Sequence, residues 1–247
     1  MEKKLEKRFW EIDFLRGIAI IMMIIFHILF DLDYFDIYKI NMNSGNLHIF
    51  NYLIVIIFLL LVGISLTLSI SRVNKIFSKK KLILKFVKRG LKIFFLGILI
   101  SITTYIFLDE GYVIFGVLHL IGISIIIAYP FLRFKNLNLF IGIIIIIFGI
   151  YLDSLIFDFP WFIWLGLQPS GIYSLDFLPI LPWFGFVLIG IFLGHNLYTN
   201  YERNYEIRDK INFPLVKLFS LLGRHSLKIY FIHHIVIISL VYLYLSF

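Results

Sequence analysis

Seven stretches of this chain approach or exceed the roughly 20 apolar residues that a helix needs to cross the hydrocarbon of a bilayer. They are 14–32, 47–71, 91–108, 112–132, 137–157, 178–198 and 226–247. Their apolar residues run continuously rather than alternating, which argues against a membrane β-barrel, whose strands alternate lipid-facing and lumen-facing side chains. With 61% hydrophobic and 15% charged residues, the chain could not cover its own apolar surface in water. The expected fold class is therefore an all-α membrane protein, a polytopic bundle of about seven transmembrane helices forming one domain over residues 1–247. A basic stretch (Lys3, Lys4, Lys7, Arg8) precedes the first run in the manner of a secretory signal. That run is too long for a signal core and no small-residue cleavage site follows, so it reads as an uncleaved span.

Charge fixes the expected orientation. With the N-terminus cytoplasmic, the inner segments are 1–13, 72–90, 133–136 and 199–225, and they carry most of the 23 Lys and Arg. The outer segments, 33–46, 109–111 and 158–177, hold one basic residue, Lys39, together with Asp33, Asp36, Asp109, Glu110, Asp158 and Asp176. This is the asymmetry of a multi-pass protein of the plasma membrane whose inner loops are positive. The net charge of +8 follows that sidedness and points to a membrane surface, not nucleic acid. From 72–90 into the start of the third span, Lys81, Lys85, Lys88, Arg89 and Lys92 recur on one helical face, which predicts an amphipathic helix at the inner surface. Asn212–Arg224 reads as a second interfacial stretch, Trp161 and Trp164 as aromatics at the outer rim, and the run Ile141–Ile147 as lipid-facing. Cysteine is absent, which removes disulfides, thiolate nucleophiles and Cys-ligated metals. No metal site is expected.

An ionisable side chain in lipid costs several kcal/mol unless it is paired or faces a cavity, so each one is a functional candidate. The candidates are Arg16, His27, Asp31, His119, Asp153, His195, His233 and His234. His27 falls about five residues below the outer end of the first span, or ~8 Å, and His119 about seven below the outer end of the fourth, or ~10 Å. Asp153 and Trp183 come out at a similar depth, so four helices offer polar or aromatic groups in the outer half. His27 and Asp31 lie one turn apart, and a carboxylate there would hold the imidazole in one tautomer, as a general base requires. Each candidate also has a plain structural reading. The histidines can serve as interhelical hydrogen-bond partners, Arg16 can snorkel to the inner interface, and the basic stripe can anchor lipid headgroups. Gly190 and Gly194 form a G-x-x-x-G suited to close helix packing, and the outer aspartates need be no more than solvated.

The segment Arg8-Phe-Trp-Glu-Ile-Asp13-Phe-Leu-Arg16-Gly, continuing to His27, resembles the opening of a family of transmembrane acyltransferases. These are the prokaryotic relatives of heparan-alpha-glucosaminide N-acetyltransferase. Phe115-Gly-Val-Leu-His119-Leu-Ile-Gly122, Leu181-Pro-Trp183 running to Gly190, and Gly223-Arg-His-Ser226 running through Tyr230 to His233 follow in the family's order. The opening and the terminal Ser-x-x-x-Tyr-x-x-His are also similar to acyltransferase-3 proteins, in which a first-helix His is catalytic. The resemblance implies a membrane enzyme that takes acetyl from cytoplasmic acetyl-CoA and delivers it to an extracytoplasmic glycan-type acceptor, a sugar amine or hydroxyl. It implies His27 as base or nucleophile, supported by Asp31, with His119 and Trp183 as catalytic partners. Arg16, Lys88, Arg89, Lys92 and His233 are then the residues for the donor. In the heparan enzyme the position matching His27 is Asn, and its own histidine lies further on, where this chain has Tyr38. His27 therefore follows the prokaryotic and acyltransferase-3 pattern. Membrane lipids are expected partners, and a homodimer is left open. The competing class is a transporter or flippase using intramembrane histidines, against which the lack of a visible internal repeat weighs.

Overall fold

The computed structural model describes residues 8–40, 45–73, 78–107, 111–171, 173–207 and 212–246. Lys3, Lys4, Lys7, Asp109, Glu110 and the side chain of His234 lie outside the described residues. The described residues are mostly helical: α1 (Trp10–Tyr34), α2 (Gly45–Val73), α3 (Lys79–Phe107), α4 (Val117–Ile127), α5 (Leu137–Asp153), α6 (Ile180–Leu197), α7 (Pro214–Arg224) and α8 (Ser226–Leu245). Short 3-10 turns occupy Tyr129–Arg133 and Ile163–Leu165, and a two-stranded hairpin pairs Tyr198–Thr199 with Glu202–Arg203. Four helices are long and apolar enough to cross a membrane: Trp10–Tyr34, Gly45–Arg72, Lys79–Phe107 and Ile180–Leu197. Val117–Ile127, Leu137–Asp153 and Ser226–Val241 are apolar but shorter. The result is an all-α membrane protein with a helix in each of the seven expected segments.

Two boundaries depart from expectation for local reasons. The fourth segment is helical only from Val117 to Ile127. Ahead of it, residues 111–116 run beside 173–178 through Leu175 N–H to Gly111 O and Leu178 N–H to Phe115 O, and a Phe115–Phe177 bridge joins the same strips. After it, Pro130 sits at the start of a 3-10 turn, where its missing N–H costs nothing. The basic stripe and the third span, expected as separate elements, form the single helix α3. Nothing between Lys79 and Phe107 breaks the ladder, and its two interior glycines are used for packing.

The chain divides into two compact units, one made of Met1–Phe58 with Ile207–Phe247, the other of Leu59–Glu206. In the first, α1 lies against α7 and α8. Ile20, Met23 and Ile54 form its buried cluster, covered by Phe50, Phe58, Leu222, Ile229 and Tyr230. Helix α7 turns Ser220 and Gly223 inward and leaves Leu215, Leu218 and Leu221 exposed.

The second unit is built on glycine contacts. A Cβ on Gly90 would lie 2.6 Å from Gly122 O, and one on Gly122 2.7 Å from the Phe94 amide, so α3 and α4 touch backbone to backbone. Gly142 and Gly185 meet in the same way between α5 and α6. Gly190 and Gly194, the G-x-x-x-G pair, receive Leu60, Ile64 and Thr67 of α2. Lipid tails are as apolar as leucine, so helices dissolved in them associate by close packing rather than by escaping water, and small residues supply it. Opposite these seams α5 exposes Ile143, Ile144 and Ile147, part of the run read as lipid-facing.

Candidate functional site

Asp13 organises the start of α1 in the first unit. Its carboxylate is buried, with 4% of the side chain exposed, and three guanidinium groups converge on it: Arg16 at 3.2 Å, Arg224 at 3.3 Å and Arg8 at 3.6 Å. The Asp-x-x-Arg-Gly opening and the Gly223-Arg224 pair, 210 residues apart in sequence, thus form one structure. Gly17 and Gly223 make it possible. A Cβ on Gly223 would overlap Asp13 O at 1.7 Å, and one on Gly17 would overlap Phe219 O at 2.0 Å. Ser220 adds a hydrogen bond from its hydroxyl to Trp10 O. Arg16, expected to snorkel or to meet the donor, is here held by Asp13. Residue-by-residue reading passed over Asp13 because it precedes the apolar run. The recurrence of Gly and Arg in both terminal motifs was the available signal.

One helical turn above Met23, the His27 Nδ1 lies 2.8 Å from Met23 O. A carbonyl can only accept, so Nδ1 carries the hydrogen, and in the neutral ring Nε2 keeps its lone pair. The bond that fixes this tautomer is therefore the Met23 carbonyl, where the expectation had been the Asp31 carboxylate. Asp31 is buried on the same helix four residues further on. His233, on α8, is also buried, and its Nδ1 lies 2.6 Å from Tyr230 O, which sets the same tautomer. The two rings meet edge to face with centroids 4.8 Å apart. Ser226, Tyr230 and His233 share one face of α8, and Tyr230 packs on the Ile20–Met23 cluster. The terminal motif thus delivers His233 to the first-helix histidine.

In the second unit His119 is the third residue of α4 and is buried between Phe94 at 5.2 Å and Phe115 at 5.4 Å, ring to ring. Its Nδ1 accepts the Gly116 N–H at 3.2 Å, so the neutral ring carries its hydrogen on Nε2, the opposite tautomer to His27. The residues of the Phe115–Gly122 motif each have a use. Gly116 is the helix cap, and a Cβ there would lie 2.3 Å from Asp176 Oδ2. Asp176 Oδ2 accepts the Val117 N–H at 3.0 Å, placing a carboxylate at the positive end of α4. Asp176 is therefore half-buried and capping, not merely solvated. Gly97 of α3 opens the space the His119 ring fills: a Cβ would come within 2.9 Å of Nδ1.

The remaining candidates divide between structural and exposed positions. Trp183 is buried near the start of α6, its ring 5.9 Å from Phe186. Asp153 ends α5, exposed, and accepts Gln168 Nε2–H at 2.8 Å. His195 donates from Nε2 to Leu132 O at 2.9 Å and ties α6 to the 3-10 turn, which the buried Asn138 also holds through Phe131 O and Phe134 O. Lys88, Arg89 and Lys92 are exposed on α3. Among the described residues no cluster of three or more His, Asp or Glu is arranged for a metal.

The first unit thus offers an imidazole pair that carries its hydrogens on Nδ1, and the second offers an imidazole with an Nε2–H donor and a row of exposed cations on α3. No curated protein and no solved structure gives a significant match to the chain. The sequence model of the catalytic region of heparan-alpha-glucosaminide N-acetyltransferase matches residues 8–235, spanning all four motifs. On that match the chain belongs to the heparan-alpha-glucosaminide N-acetyltransferase catalytic family, a family of membrane acetyltransferases.

Proposed function

We propose that this protein moves an acetyl group from cytoplasmic acetyl-CoA to an extracytoplasmic acceptor, a sugar amine or hydroxyl, acting as a single domain. Seven spans with the N-terminus inside would put the basic N-terminal half of α3 on the donor's side and the acidic loops on the acceptor's. The observation that carries the reading is the His27 tautomer: Nδ1–H committed to Met23 O leaves Nε2 as the basic atom. An N–H or O–H nucleophile attacks the thioester carbonyl only as its proton leaves, and a positioned imidazole contributes typically 10²–10⁴-fold to such a step.

In this reading His27 Nε2 takes the acceptor's proton as the acceptor attacks. The carbonyl oxygen gains charge, the C–S bond breaks, and CoA leaves as its thiolate. His119 is assigned to the oxyanion, since its Nε2–H is a neutral donor whose direction the Gly116 N–H fixes from the other side of the ring. Trp183 borders the acceptor, and Asp31 completes the polar surroundings of His27. Lys88, Arg89 and Lys92 are assigned to the phosphates of CoA, which point charges and guanidinium groups both bind. Purified protein incubated with acetyl-CoA should release CoA faster when an amino-sugar acceptor is present. Reporter fusions at Asn43 and Asn204 should fall on opposite sides of the membrane. CoA release no faster with the acceptor than without it, or both reporters on one side, would sink the proposal.

A further inference from the structure

We propose that His233 is a second catalytic residue, forming with His27 an imidazole pair that carries the proton from the incoming acceptor to the departing thiolate. The inference rests on the reading of His27 as base and assigns His233 to the reaction rather than to donor binding. Three observations support it. The rings are in direct contact, 4.8 Å apart centroid to centroid and edge to face, on two different helices. Each Nδ1 hydrogen is committed to a backbone carbonyl, Met23 O for His27 and Tyr230 O for His233. In both rings the atom that can gain a proton is therefore Nε2. The pair is also tied to the core of the first unit. Each histidine bonds to a carbonyl on its own helix, and Tyr230, which supplies one of those carbonyls, is packed onto the Ile20–Met23–Ile54 cluster that joins α1 and α2.

The chemistry gives the pair a task. Acetyl transfer from thioester to an amine or alcohol forms one C–N or C–O bond, breaks one C–S bond, and moves one proton from the acceptor to sulfur. A single imidazole that has taken the proton must be emptied before the next turnover. In the pair, His27 Nε2 receives it, the charge is shared with His233, and His233 Nε2–H gives it to the thiolate, so both rings finish neutral in their starting tautomers. No oxidant, metal or further reactant is needed. Two imidazoles that share a proton act as one unit, so removing either should cost much of what removing both costs.

The test is steady-state kinetics on His233→Gln, His233→Ala, His27→Gln and the double variant His27→Gln/His233→Gln. Glutamine keeps a donor for the Tyr230 carbonyl but cannot carry a proton. The pair predicts that His233→Gln lowers kcat by about 10²-fold or more with KM for acetyl-CoA changed less than about twofold, and that the double variant is scarcely worse than His27→Gln. A His233 that only binds donor would raise KM and leave kcat. A His233 that is only structural would lose activity as Ala and recover it as Gln. Either result overturns the inference. If His27→Gln is itself as active as wild type, the reading of His27 as base fails, an outcome distinct from wild-type His27 dependence with a fully active His233→Gln.

Discussion

The Asp13 cluster makes a graded prediction, because its three arginines differ in how much water surrounds them. Arg16 has 23% of its side chain exposed, Arg224 38% and Arg8 59%, while Asp13 has 4%. At ~3.3 Å and an effective dielectric near 20 the gross attraction of one such pair is ~5 kcal/mol, most of it offset by desolvating the charges. A charge-assisted hydrogen bond nets about 1.5–3 kcal/mol, and an exposed pair about 0–1. Arg224 Nε also donates to Asp13 Oδ2 at 3.3 Å, and it links α7 to α1. Discounted for its exposure, the Asp13–Arg224 coupling should come near 1.5 kcal/mol, and the Asp13–Arg8 coupling below about 0.5. The measurement is a double-mutant cycle with Asp13→Asn, Arg224→Gln and Arg8→Gln, scored by reversible unfolding in mixed detergent micelles. Asp13→Asn alone should destabilise by about 3 kcal/mol, since it leaves three cations around a neutral amide. An Arg8 coupling equal to or larger than that of Arg224 would refute the claim that Asp13 ties the two terminal motifs together.

Gly223→Ala should be far more destabilising than Gly45→Ala, because the first Cβ overlaps Asp13 O while the second meets nothing within 4 Å. Overpacking of the first kind costs about 1–3 kcal/mol or more, and the same micelle unfolding reads it. Asp176→Ala removes the cap of α4 and should cost about 1 kcal/mol, with kcat falling further than stability if the cap also orients His119. Replacing Lys88 and Arg89 by Gln should raise KM for acetyl-CoA severalfold with little change in unfolding, because both are exposed; an unchanged KM returns the stripe to headgroup anchoring.

Much of the fold was legible because lipid simplifies the rules: long apolar runs become helices, and each of the seven segments contains one. What sequence could not foresee were contacts that depend on a distant strip of backbone. The fourth helix starts only at Val117 because residues 173–178 run beside the six before it, and nothing local in Gly111–Gly116 announces that partner. At the site, His27 and His119 were identified from their cost in lipid, but their tautomers came from Met23 O and Gly116 N–H, backbone groups that no side-chain motif displays. Asp13 was missed for the opposite reason. It sits among charges at the start of the first span, where a carboxylate looks ordinary until Arg224 arrives from the far end of the chain. Asp176 looked like a solvated loop aspartate and is a cap.

In the proposed reaction His27 takes the acceptor's proton while the acetyl group passes from a donor on one side of the membrane to an acceptor on the other. The most direct test uses sealed proteoliposomes of uniform orientation, with radiolabelled acetyl-CoA on the side of the N-terminus and an amino sugar on the other. Wild type should build up acetylated sugar in the compartment that never held acetyl-CoA, and His27→Ala should reduce that rate by at least about 10²-fold. Equal rates for the two proteins, or product on the donor's side alone, would contradict the account.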